Sequence, residues 1–306
     1  MLHWITRIVI LSCLGAVSPL AMGKGFAVLP AEGFRTEDDS PTAYTLCNDT
    51  GLFNSAGRGK ARKPSETAHH SCAVFPGNEM AAPEPGFSLI THAVHEAVVN
   101  NNYTGGTDKK IANVTEYVWR NAAQTGCIFG ARIISLLGND ADYDVTRAGI
   151  QYFEINDFMR GGFAGLPVAV AYSTYAAQAQ PVYRIGRTFT SVQYRKGLGY
   201  TKQPLTEPAF EQAINGADLK ASQAPAAAQQ SASLNDNWVD FTTSVRLPRH
   251  PASAMFYVKT TCSAEAPKTA PDAIRLRQTT APFIEISVPG FVPPGGAAML
   301  SLESPL

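Results

Sequence analysis

Six histidines are spread along the chain, and the tightest group is His92-Ala93-Val94-His95-Glu96. Neutral imidazole is the commonest side-chain ligand for zinc and copper, so His92 and His95 are candidate metal ligands. The order differs from H-E-x-x-H, where Glu directly follows the first His and serves as the base of a zinc protease. On a helix, His92 and Glu96 would share a face, with His95 beside them. On a strand, His92 and His95 point to opposite faces, and a shared metal would need a bulge. His69 and His70, just before Cys72, could add further ligands from a loop. The plainer reading is two polar residues on an amphipathic element and two solvated histidines in a Ser-containing loop.

Asn139-Asp140-Ala141-Asp142-Tyr143-Asp144 spaces oxygen ligands as at the start of a calcium loop. An EF-hand needs Gly and Glu at its sixth and twelfth positions. Counted from Asp140, those are Val145 and Gln151, so only a calcium site of another type, or a solvated turn, remains. No G-x-S-x-G elbow is present. A Ser-His-Asp arrangement assembled in space stays open, because such triads are recognised by geometry. Arg160-Gly-Gly-Phe-Ala-Gly165 matches neither a P-loop nor a dinucleotide fingerprint and reads as a tight turn. Trp119 and Trp238 lie in strand-like runs. Core or edge packing is their expected use, with stacking on a sugar or peptide as the alternative. Asn48, Asn102 and Asn113 head Asn-x-Thr sequons, which matter only in a glycosylating host.

The start of the chain frames the cysteines. Arg7, the apolar run Ile8 to Leu20 and the small residues of Ala21-Met22-Gly23 read as a secretory signal peptide cleaved near Gly23. The run is too short to cross about 30 Å of hydrocarbon as a helix. A membrane anchor and a lipid anchor on Cys13 are the alternatives. Cleavage removes Cys13 and leaves Cys47, Cys72, Cys127 and Cys262. An even number in an exported protein predicts disulfides. Three pairings are possible. The favoured one joins Cys47 to Cys72 across a Gly- and Pro-rich loop, and Cys127 to Cys262 across two distant strands. Four buried free thiols are the alternative.

Strands must hold these groups. Val239, Phe241, Thr243, Val245 and Leu247 alternate with polar residues, as do Ile284, Ile286 and Val288, and Ile274 and Leu276. Period two is the signature of a strand with two different faces. Cys127 to Leu137 is almost continuously apolar, and Val168 to Tyr172 forms another strand-like run. Gly105-Gly106 and Asn121 to Gly126 read as hairpin turns. Leu89 to Val99 is ambiguous. Ile90, Ala93, Val94, Ala97 and Val98 fall at helical spacing, but a hairpin relation to Ile111–Arg120 favours a strand. Thr206 to Ile214 reads as a short helix, and Ala217 to Ser233 as an Ala/Gln/Ser-rich linker.

The expected fold is therefore all-β, an antiparallel β-sandwich with one or two disulfides, a short helix and a linker. Residues 1–23 are the signal and 24–86 an irregular N-terminal segment. Residues 87–205 form a β-rich region, 206–234 the helix and linker, and 235–306 a C-terminal β region. Whether 235–306 shares one sandwich with 87–205 stays open at this point. The chain has 306 residues, with 25 Lys+Arg balanced by 25 Asp+Glu, and only 16% charged residues. That balance argues against nucleic-acid partners, which need clustered basic charge. No later segment has the apolar length of a membrane-spanning helix. The expected function is a secreted, periplasmic or cell-surface binding or structural protein without catalysis, for an unidentified extracellular ligand. An exported copper or zinc protein using His92 and His95, with His69 or His70, is the alternative. A secreted hydrolase is the second.

Overall fold

A computed structural model describes residues 25–35, 41–48, 63–67, 72–175, 179, 181–189, 234–278 and 284–301. The signal region, His69, His70 and the 206–214 helix lie outside these residues. Fourteen strands follow in order: β1 (Ala27–Leu29), β2 (Phe34–Arg35), β3 (Pro41–Thr42), β4 (Tyr44–Leu46), β5 (Phe87–Val99), β6 (Lys109–Asn121) and β7 (Gly126–Ser135), then β8 (Ile155–Gly161), β9 (Val168–Ser173), β10 (Arg184–Gly186), β11 (Trp238–Val245), β12 (Met255–Thr261), β13 (Lys268–Gln278) and β14 (Ile284–Val292). One helical turn at Asn139–Ala141 and a helix α1 (Gly296–Ser301) complete the described elements.

Two antiparallel six-stranded sheets face each other. The first runs β1-β9-β12-β7-β6-β5 and the second β14-β13-β8-β11-β10-β4. Strands from both sides of the 206–234 stretch contribute to both sheets, so strands β5–β10 and β11–β14 interleave in one sandwich. Alternation carries this arrangement: Val239 and Phe241 of β11 and Phe158 of β8 turn inward to meet Phe256 of β12. Phe158 stacks on Phe256 at 4.8 Å between ring centroids, and Phe241 lies 5.1 Å from it. Each such ring, fully buried, contributes about 1.5–3 kcal/mol.

Both cysteine pairs expected from the sequence are present. Cys127 and Cys262 sit at the ends of β7 and β12, far apart in sequence and adjacent in the first sheet, with Cα atoms 5.7 Å apart. Cys47 and Cys72, Cα atoms 5.2 Å apart, join the sheets at one edge. Cys47 follows β4 of the second sheet, and its amide donates to the Tyr183 carbonyl. Cys72 lies against β9 of the first, its carbonyl accepting from the Tyr172 amide.

The β5–β6 connection turns where expected, with Gly105 and Gly106 at φ of 64° and 73°, a region only Gly enters freely. Other elements differ from expectation. The described residues between 25 and 86 include four strands of two or three residues, too short to display alternation. Arg160 is not in a turn: it lies in β8, a central strand of the second sheet, and the chain turns only at Gly162. Residues 296–301 form a helix within what reads as β sequence. Its Ala-Ala-Met-Leu run favours helix, and Leu300 is buried beside Trp238 and Ala270. The described residues on either side of 190–233 lie together. Ile185 pairs with Phe241, and the Asn235 amide donates to the Arg187 carbonyl at 3.0 Å. The Arg187 guanidinium ties this base down, donating to the carbonyls of Asp236, Phe163 and Leu166.

Candidate functional site

The histidine group lies on β5, an edge strand paired only with β6. Register shifts fall between Leu89 and Thr91 and between Ala97 and Val98, leaving an unbroken run from Thr91 to Ala97. Along that run the side chains alternate. Ala93 and Ala97 pack into the sandwich, whereas His92, Val94 and Glu96 face out. His92 and His95 therefore point to opposite faces and do not converge on one ion. Among the described residues, no group of three or more His, Cys, Asp or Glu side chains is placed to hold a metal.

His95 turns inward onto a buried carboxylate. Its Nε2 stands 2.8 Å from Glu116 Oε2, a contact that is attractive only with the proton on Nε2. Glu116, on β6, is fully buried. It also accepts from Arg160 Nη2 and from the Phe291 amide, the latter at 3.1 and 3.3 Å. Arg160 comes from β8 in the opposite sheet, and its Nη2 also donates to the Phe291 carbonyl at 3.0 Å. The guanidinium carbon lies 5.3 Å from the Phe129 ring centroid, within cation–π range. Arg160 Nε and Nη1 find no acceptor among the described residues. Burial pulls the Arg160 guanidinium below its ordinary value, and the Glu116 charge opposes that shift. The cluster thus binds β5, β6, β8 and β14 together at the sandwich edge opposite Cys47–Cys72. Gly290 permits the approach of β14, since a Cβ there would stand 2.8 Å from Ile274 Cδ1 and 3.3 Å from Glu116 Oε1. Neither His92 nor His95 bonds a Ser or Thr hydroxyl among the described residues. The inner cluster is suited to holding sheets together.

The outer face of β5 is different. His92 stacks on Tyr117 of β6 at 6.2 Å and 22°, and Tyr117 stacks on Trp119 at 5.6 Å and 25°. Residues 74–86 cross the rest of this face. Met80 O accepts from Trp119 Nε1 at 3.0 Å, Asn78 O accepts from the Tyr175 hydroxyl, and Glu84 pairs with Lys259. Trp119 is fully buried by this cover, so it packs and does not present a stacking surface. Tyr117 and Tyr257 hydroxyls are pushed up from their ordinary value, chiefly by burial. Beside the cover an apolar strip stays open: Val94 is 60% exposed, Met80 53% and Ile90 41%.

The remaining candidates are used internally. Asp142 Oδ1 accepts from the amides of Asp144 and Gln151, and Asp144 Oδ1 accepts from the amide and hydroxyl of Thr146. These carboxylate oxygens shape the turn. Trp238 is buried, its ring centroid 4.9 Å from that of Phe189. Beside Cys127–Cys262, a crevice between Arg120, Phe129, Lys268 and Pro293 encloses ≈ 10 Å³, no more than one water requires.

Comparison with known protein families, with curated proteins and with solved structures finds no match for this chain. Glu116 and Arg160 are the residues that sequence reasoning missed. Glu116 did carry a signal: it shares strand parity with Val114 and Val118, so a carboxylate interrupts an inward-facing apolar row. Arg160 carried none, because its strand, Ile-Asn-Asp-Phe-Met-Arg-Gly, has no alternation.

Proposed function

We propose that this chain is an exported protein that acts by binding rather than by catalysis, using the outer strip of β5. The observation that carries the reading is the open row of Val94, Ile90 and Met80 beside the His92–Tyr117 stack. The exposed side chains are apolar, and the carboxylates beside them are paired, Glu96 with Lys110 and Glu79 with Arg132. Exposed apolar surface of this kind marks interaction sites. Two disulfides support an extracellular setting. Export with cleavage near Gly23 completes the reading, and N-terminal sequencing of the exported protein should begin close to Lys24.

The binding face is tested by selecting displayed random peptides on the oxidised protein. Apolar, weakly charged binders should emerge and be lost in Val94→Asp and His92→Ala. They should survive Leu137→Asp, which alters a 70% exposed side chain elsewhere. Binders indifferent to Val94 and His92 would refute this face. Stoichiometric copper or zinc in the exported protein would move the reading to metal binding.

A further inference from the structure

The four edges of the sandwich are not equally protected against pairing with another chain. β1 and β4 offer three residues each. β14 is longer but carries Pro289, which has no amide to donate. β5 has thirteen residues and no Pro, Lys or Arg. It pairs with β6 on one side, and no other described backbone group hydrogen-bonds to it. Strands of this kind template the addition of another strand unless charge, Pro, bulges or brevity prevents it. Both register shifts of the β5–β6 pair, one at Ile90 and one at Ile111 of β6, lie outside Thr91–Ala97, so that stretch of β5 keeps a regular edge.

That stretch is self-complementary. Its midpoint is Val94. Antiparallel pairing with a second copy about a two-fold axis at Val94 sets His92 against the partner copy's Glu96, and Glu96 against its His92. Val94 meets its own symmetry mate, and Thr91 meets Ala97. On the outer face this gives a central apolar contact between two imidazole–carboxylate pairs, and a neutral imidazole N–H suffices to donate to Glu96. On the inner face Ala93 meets His95 and Thr91 meets Ala97, and His95 is already drawn away onto Glu116. We infer that this protein forms a symmetric dimer in which β5 pairs with β5 of a second copy about Val94, joining the two first sheets into one. The contact is isologous and closes on itself, so it ends at two copies and does not grow into a fibre. It holds whatever ligand the outer strip takes, and it would set two such strips side by side.

The test uses the full oxidised protein in sedimentation equilibrium, with circular dichroism to confirm folding of each variant. The wild type should sediment at twice the monomer mass at high micromolar concentration. Val94→Lys sets two ammonium groups against each other at the axis and should weaken association at least about tenfold. His92→Glu opposes two carboxylates and should weaken it too, whereas the exchange His92→Glu with Glu96→His should restore it. Val94→Cys should cross-link under mild oxidation, because facing Cα atoms at about 4.5–5.5 Å suit a disulfide. Ile90→Cys, displaced from the axis, should not cross-link. A wild type that stays monomeric, or a dimer indifferent to Val94→Lys and to the exchange, would overturn the inference. The peptide selection run on the wild type at concentrations below those at which it associates, and repeated with Met80→Asp, which leaves β5 intact, separates failure of this inference from failure of the binding face.

Discussion

The two open edges of the sandwich are closed by different chemistry. At one, Cys47–Cys72 joins the β4 end of the second sheet to the strip lying on β9 of the first. At the other, Glu116 gathers Arg160, His95 and the Phe291 amide into a buried cluster. A covalent tie acts mainly by limiting the unfolded chain, in the chain-entropy view. A buried charge cluster acts in the folded state and is only as good as its completeness, because each ion has given up its water. The first edge is therefore robust to loss of a neighbour, and the second is not. The ionic edge is also where β5 lies, so the strand that we expect to pair with a second copy is positioned by the more breakable of the two closures.

The comparison breaks most sharply at Glu116. Glu116→Ala leaves Arg160 buried without its carboxylate and should cost about 3–5 kcal/mol in urea unfolding. Adding Arg160→Met to Glu116→Leu should recover much of that loss, since an apolar pair of similar volume is often no worse than a buried ion pair. If the double variant is as unstable as Glu116→Ala, the cluster is not the coupled unit described here. At the other edge, replacing Cys47 and Cys72 together by Ser should cost about 2–4 kcal/mol, with no such coupling to Glu116.

Alkali should sharpen the contrast. Tyr183 and Tyr172 lie at the disulfide edge, and burial raises the Tyr183 hydroxyl above its ordinary value, with Tyr172 adding to the rise. A raised phenol favours the protonated folded state, so its contribution is complete below about pH 10 and lost as pH climbs above it. Stability measured by urea midpoints should fall above that pH, and Tyr183→Phe should flatten the fall. The smallest effect belongs to His95. His95→Gln keeps a donor for Glu116 and should cost about 1 kcal/mol. A much larger loss would make His95 an essential member of the cluster.

What was legible in the sequence follows from the same physics. Strands in which apolar residues alternate with polar ones, such as β11 with Val239, Phe241 and Val245, announce themselves by alternation even though both faces of β11 are buried, and the favoured cysteine pairing rested on loop and strand placement. β5 was ambiguous for a structural reason. Apolar residues occupy both of its faces, with Ala93 and Ala97 inward and Val94 outward, so Ile90, Ala93, Val94, Ala97 and Val98 fall at helical spacing. β8 was invisible because its buried residues, Asn156, Asp157 and Arg160 with Phe158 and Met159, follow no alternating order. Its partners come from β11 and β13, remote in sequence. The inner charge cluster inherits that difficulty, since one member belongs to a strand that leaves no periodic trace. His92 and His95 were noticed for their type. Their separation onto two faces follows once β5 is a strand.

The pinned base beneath residues 190–233 bears on how this protein can diverge. β10 and β11 pair directly across it, and Arg187 fastens it to the Phe163–Leu166 turn. The strand register on either side is set without reference to how many residues lie between. Loop-closure entropy grows only with the logarithm of length, about 0.6 kcal/mol per doubling. Insertions and deletions should therefore accumulate in this stretch among variants of the chain, and a foreign domain should be accepted there with little effect on strand pairing.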